Sequence, residues 1–274
     1  SATLFGDPYR LISSPFFFDD TATSSFQPYQ VSIRDVVETE NDLRDEENNV
    51  VPHADLIVSG EAFSTDLEGV VLLMPSSGDA ELSLQNVTKL EAPAQWRDAD
   101  SDDGLQRGAL GIEAQSGVVG MAGVAYLRAW DEGDLTLTFD LTGDWALATF
   151  AGTAEPVATA LPFPEPGLSV ELAGDESDES VFARVAMADL NGDQVPDFVL
   201  VYGMTLVLSE AVPVSDATQK SGSGGRVVSA VVLALSDGDG YVAKAVTGID
   251  ASYDAAVDVV VLDGKLLLVS ELSL

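Results

Sequence analysis

Asp189, Asn191, Asp193 and Asp197 stand at positions 1, 3, 5 and 9 of a short polar stretch, Asp-Leu-Asn-Gly-Asp-Gln-Val-Pro-Asp, between two runs rich in Val and Leu. Alternate residues of a tight loop can turn their oxygens inward, which suits a hard cation with about 6–8 oxygen ligands, such as calcium. The carbonyl of Val195, at position 7, would add a backbone oxygen. Position 12 is Leu200, so the bidentate Glu of an EF-hand is missing, and Val199 to Tyr202 read as strand rather than exiting helix. The stretch is therefore expected to be a calcium loop between two β-strands. An Asx-rich turn without metal is the alternative reading. A second acidic set, Asp98, Asp100 and Asp102, precedes another strand-like run.

Other chemistry finds little support. His53 is the only histidine and there is no cysteine, which excludes multi-histidine and thiolate metal sites, a cysteine nucleophile and disulfides. A Ser-His-Asp triad would have to use His53, and no Gly-x-Ser-x-Gly elbow occurs. The glycines at 222–225 lack the Lys-Ser/Thr of a phosphate loop. Asn86-Val87-Thr88 matches a glycosylation acceptor, of consequence only in a glycosylating host. Trp96, Trp130 and Trp145 could form a sugar-stacking platform, although filling gaps between sheets is the more ordinary fate of tryptophan. No catalytic residue is assigned.

The elements that would position the acidic loops are strands. Sustained helical spacing with caps is nearly absent, whereas two-residue alternation and β-branched residues are common. A strand–turn–strand pattern recurs from Gly69, from Gly123 with its turn at Gly133-Asp134, and from Ala230 with its turn at Asp237-Gly238. The period is roughly 54 residues, a length that fits four-stranded units stacked around an axis. Acidic stretches at 42–49, 98–104 and 189–197 precede the three copies in matching phase. Prolines at 156, 162, 164 and 166 interrupt the pattern, and 209–228 reads as a flexible loop or insertion. The final strands, 257–262 and 266–274, turn at Asp263-Gly264.

Composition bounds the setting. With 46 acidic and 12 basic residues among 274, the formal charge is −34. Such a surface repels nucleic acid and anionic membrane, so neither is expected as a partner. It fits salty or calcium-rich surroundings, where screening and bound cations relieve self-repulsion. Hydrophobic residues make up 46%, enough for a sizeable core. No apolar run of about 18 residues could span a membrane as a helix. The first residue is Ser1, as would follow from removal of a signal peptide or from trimming. Residues 1–30 concentrate aromatics between prolines and read as an extended segment packed against the body, or as an exposed patch for a partner.

The run Ala-Asp-Leu-Asn-Gly-Asp-x-x-x-Asp-Phe-Val-Leu, with Gly-Val-Ala-Tyr-Leu and a Gly-Asp turn elsewhere, resembles the FG-GAP repeat of integrin α-subunit heads and many bacterial secreted proteins. The likeness is specific over about 181–202. It implies blades of a β-propeller and calcium held by Asp189, Asn191, Asp193, Val195 and Asp197, with Asp98, Asp100 and Asp102 as a second set. Gln194 replaces the family's usual glycine, and Gln106 or Arg107 falls where the second loop's fourth acid should be. The expected fold is thus all-β, a degenerate propeller of about five blades in one domain over 1–274. The alternative is a β-sandwich over 1–150 followed by a calcium-binding FG-GAP-like unit over 168–274. The expected function is non-enzymatic: an exported or cell-surface calcium-binding protein acting in adhesion or surface assembly, with protein or carbohydrate partners. A structural protomer of a surface layer, sheath or filament, joined by strand exchange, is the second expectation. A polysaccharide-active enzyme on a propeller scaffold is the third.

Overall fold

The computed structural model describes residues 26–34, 36–37, 44–49, 55–62, 70–74, 88–99, 104–115, 117–150, 157–163, 167–173, 177–208, 225–238, 240–246, 256–262 and 265–270. Over these residues the protein is all-β, built of antiparallel sheets, with one helical turn. By its backbone contacts the chain divides into two compact units, residues 1–92, 112–121 and 146–159, and residues 93–111, 122–145 and 160–274.

Strands β1 (Phe26–Arg34), β2 (Asp55–Ala62), β3 (Val70–Met74) and β4 (Thr88–Glu91) form a four-stranded sheet in chain order. Pro28 lies in the edge strand β1, where the register shifts between Pro28 and Gln30. A proline has no N–H for a ladder, so an edge with an irregularity is where it costs least. Leu56, Ile57, Val58, Val71, Leu73 and Leu90 are buried here.

A single helical turn, α1 (Ala94–Arg97), precedes the second sheet. Its Trp96 packs on Gly123, where any Cβ would collide with the indole. The strands are β5 (Leu105–Gln115), β6 (Val118–Asp131), β7 (Thr136–Thr149) and β8 (Val157–Leu161), again neighbours in chain order. β9 (Leu168–Ala173) pairs with the first part of β7, Thr136–Leu141. β7 shows why such a sequence is a strand: Leu137, Phe139, Leu141, Trp145 and Leu147 are buried at every second position or a multiple of it. The expected turn at Gly133-Asp134 is present, closed by Gly133 N–H and Asp134 N–H donating to Asp131 Oδ1 at 2.7 and 3.3 Å.

The third sheet, β10 (Ser177–Ala188), β11 (Asp197–Leu208), β12 (Gly225–Ser236) and β13 (Tyr241–Ala245), repeats the four-strand order. β11 is buried continuously from Asp197 to Met204, as befits a central strand covered on both faces. Finally β14 (Ala256–Leu262) and β15 (Lys265–Ser270) make a two-stranded sheet. Ala256 and Val259 pack with Ala186, Val199, Val201 and Val231, placing this pair against β10, β11 and β12.

The recurring hairpins do not hold one position in their sheets. The copies from Gly69 and Ala230 supply the third strand of their sheets, β3 and β12, whereas the copy from Gly123 supplies the second, β6. The second strand expected at 82–84, the turn at 263–264, most of 209–228 and residues 1–25 lie outside the described residues.

Candidate functional site

The β10–β11 ladder closes with the pair Ala188↔Asp197, and the acidic loop is the connection between them. Two residues take left-handed backbone angles, Gly192 (φ 87°) and Gln194 (φ 69°), and so curl the chain tightly. Each acidic side chain then folds over the turn. Asp189 accepts from Gly192 N–H at 2.6 Å through Oδ1 and from Gln194 N–H at 3.0 Å through Oδ2. Asn191 Oδ1 accepts from Asp193 N–H at 2.9 Å, and Asp193 Oδ1 accepts from Val195 N–H at 2.8 Å. These are the side chain-to-backbone bonds for which Asp and Asn are chosen at turns.

Asp197 plays another part. It is fully buried, and its carboxylate takes three backbone N–H groups: Leu190 at 2.7 Å and Asn191 at 3.2 Å on Oδ2, and Ser236 at 2.7 Å on Oδ1. Three such donors satisfy a buried carboxylate that would otherwise be costly to desolvate. Ser236, at the end of β12, is gripped at three points. Its N–H goes to Asp197, its carbonyl accepts from Asn191 Nδ2 at 2.8 Å, and its hydroxyl donates to Asp193 Oδ2. The hydrogen bond from Ser236, helped by Val195 N–H, holds the Asp193 carboxyl below its ordinary value, despite partial desolvation. Tyr241 of β13 donates to the Pro196 carbonyl at 3.0 Å. Burial raises its phenol pKa, and the charges of Asp197 and Asp193 raise it further.

The sequence thus places Asp189, Asn191, Asp193 and Asp197 correctly on one interconnected turn, with Val195 38% exposed at its outer side. An ionised carboxylate offers about four lone-pair directions. On that count the bonds above leave acceptor capacity on both oxygens of Asp189, on Asn191 Oδ1, on Asp193 Oδ1 and on Asp197 Oδ1, beside the Val195 carbonyl. The donor types therefore fit calcium. The side chains are not gathered around a point: among the described residues no group of three or more His, Asp or Glu is arranged to hold a metal ion.

The second acidic set is only partly described. Asp98 caps α1, its N–H donating to Ala94 O at 2.8 Å, while Asp100 and Asp102 lie outside the described residues. The two residues at the fourth-acid position are committed elsewhere. Gln106 Oε1 accepts from Tyr126 OH at 2.7 Å, and Arg107 lies 5.9 Å over the Trp96 ring while donating to the Trp96 carbonyl. A three-tryptophan sugar platform is not formed, because Trp96 and Trp145 are each 1% exposed and only Trp130 reaches the surface. His53 lies outside the described residues.

Three participants escaped the sequence reading. Ser236 and Tyr241 come from the far side of a strand register that the sequence does not specify. The third is Asp55, which is fully buried and accepts Val36 N–H and Val37 N–H on Oδ2, both at 2.9 Å. Arg34↔Asp55 is the end pair of the β1–β2 ladder, as Ala188↔Asp197 is of β10–β11. In both, the donors are the second and third residues after the end of the pair. Asp55 is therefore the counterpart of Asp197, and the acidic 42–49 stretch falls between the first two strands of its sheet, as the Asp189 loop does in its own. The signal was an aspartate leading an apolar run, Asp55-Leu-Ile-Val beside Asp197-Phe-Val-Leu. No known protein family, curated protein or solved structure matches the chain.

Proposed function

We propose that this chain is a non-enzymatic, exported calcium-binding β-repeat protein that acts in cell-surface adhesion or surface assembly, with calcium in a structural role. The observation that carries the proposal is the Asp189–Asp197 turn: carboxylate, amide, carboxylate, carbonyl and carboxylate at alternating positions, with acceptor capacity remaining on each side chain. Calcium there would neutralise adjoining carboxylates and add bonds between β10, β11 and the end of β12. Two four-stranded sheets and a five-stranded one, each with a run of four strands in chain order, support the finer fold reading, a degenerate FG-GAP-like propeller of about five blades. The charge of −34 supports a setting rich in cations. The partners of this reading are protein or carbohydrate at the cell surface.

One observation favours a second reading, a metal-free latch. Asp197 is already satisfied by three backbone donors, and Asp193 by Ser236. Thermal melts in excess calcium, excess magnesium and chelator separate the two. The proposal expects a calcium-specific rise in midpoint that Asp193→Ala abolishes. Equal midpoints in calcium and chelator would leave the latch alone.

A further inference from the structure

The β14–β15 pair is apolar on both faces. Val259, Val261, Leu266 and Leu268 face the core formed with β10, β11 and β12. The opposite face carries the register pairs Asp258↔Val269, Val260↔Leu267 and Leu262↔Lys265. Its four aliphatic side chains are substantially exposed: Val260 40%, Leu262 56%, Leu267 47% and Val269 43%. A sheet with one face in solvent normally alternates apolar with polar residues, so an outer face this apolar is built to be covered.

The charges on this face point to what covers it. Asp258 lies near the start of β14 and Lys265 begins β15, opposite the end of β14, so the two sit diagonally across the apolar centre. Two such faces packed about a two-fold axis would set each Lys265 over the other copy's Asp258 while Val260 and Leu267 interdigitate between them. The axis this requires runs steeply across the strands and leaves the strands of the two copies crossing at a modest angle, of the size at which aligned sheets pack, roughly 30°. An isologous contact needs this self-complementarity, each surface supplying what the other lacks.

We propose that the outer face of β14–β15 binds the same face of a second copy of this chain. This surface is separate from the Asp189–Asp197 turn, and it assigns the assembly role a sheet-on-sheet contact in place of strand exchange. The exposed apolar area is on the order of 300 Å², against about 800 Å² per partner in a stable complex, so the dimer is weak and reversible. Two chains of charge −34 also repel, and salt that shortens the screening length relieves this.

Sedimentation velocity over a micromolar-to-millimolar series, at low and high salt, tests the proposal on the full chain. The expected result is a monomer–dimer equilibrium that tightens with salt. Leu267→Glu should abolish it. Lys265→Glu should weaken it by roughly tenfold, and adding Asp258→Asn should recover part of that loss. Far-ultraviolet circular dichroism of each variant confirms an intact fold. A monomer throughout the series, or dimers indifferent to Leu267→Glu and Lys265→Glu, would overturn the proposal. These outcomes do not depend on calcium, so they are distinguishable from failure of the metal reading.

Discussion

Gln194 holds a backbone conformation that glycine adopts without penalty and other residues adopt at roughly 1 kcal/mol. Gln194→Gly should therefore raise stability, by up to about 1 kcal/mol, as a later urea midpoint with an unchanged slope. Gly192→Ala should lower it by about 1 kcal/mol; nothing lies near the added methyl, so the loss would be conformational alone. If both substitutions were neutral, the turn would not hold these angles in solution. Asp197 and Asp193 should differ in kind. Asp197→Ala strands three backbone donors and should cost about 3 kcal/mol or more, in chelator as in calcium. Asp193 is tested by pH. Its folded pKa lies below the unfolded value, so its contribution is complete above about pH 4 and is lost as pH falls through the folded pKa. In Asp193→Asn the acid limb of stability against pH should be shallower, and an unchanged limb would remove Asp193 from the acid response.

At the scale of elements, Asp55 and Asp197 mark the same corner, a strand whose first residue ties down the chain that has just left the preceding strand. Asp55→Ala should cost about 2–3 kcal/mol through the two donors it strands. Hydrogen exchange should show the loss first at Val36 and Val37; protection unchanged there would mean that Asp55 does not hold the corner. Much of this was legible in the sequence, because strands alternate and turns have their own chemistry: β2, β3, β5, β6, β11, β12 and β14 fall where the apolar runs lie, and the β6–β7 turn falls at its Gly-Asp. Helix α1 was not legible, since one turn has no periodicity and is held by Trp96 lying on Gly123. Nor was the grip on Ser236, which depends on the pairing of β11 with β12. An aromatic cluster was equally hidden: Trp145, Phe163, Phe198, Tyr202 and Tyr241 meet in edge-to-face or tilted pairs with centroids 5.5–6.4 Å apart. Burial pushes the Tyr202 phenol up to about 12. A raised folded pKa means that Tyr202 favours the fold below about pH 10 and ceases to do so as pH rises through about 12. Its phenolate absorbance should therefore appear only with alkaline unfolding, and a Tyr202→Phe variant should unfold at higher pH.

For the whole molecule the dominant quantity is the charge of −34. Carboxylates crowded on one chain repel one another more strongly when folded than when extended, so low ionic strength should destabilise the fold. Two kinds of relief are open and they differ in dose. Monovalent salt acts by screening, with a length near 10 Å at 0.1 M and about 3 Å at 1 M, so its effect should grow gradually and be the same for any simple salt. A bound divalent ion acts by occupancy, so its effect should rise with the logarithm of free ion above its dissociation constant. Melting temperatures measured against sodium chloride, with and without a low fixed calcium concentration, resolve the two. The expected result is a rising sodium curve with calcium adding a further increment, largest at low salt; Asp193→Ala should lower the sodium curve through its lost hydrogen bonds and remove the calcium increment altogether. Were calcium's effect matched by sodium at equal ionic strength, the Asp189–Asp197 turn would carry charge without carrying a site.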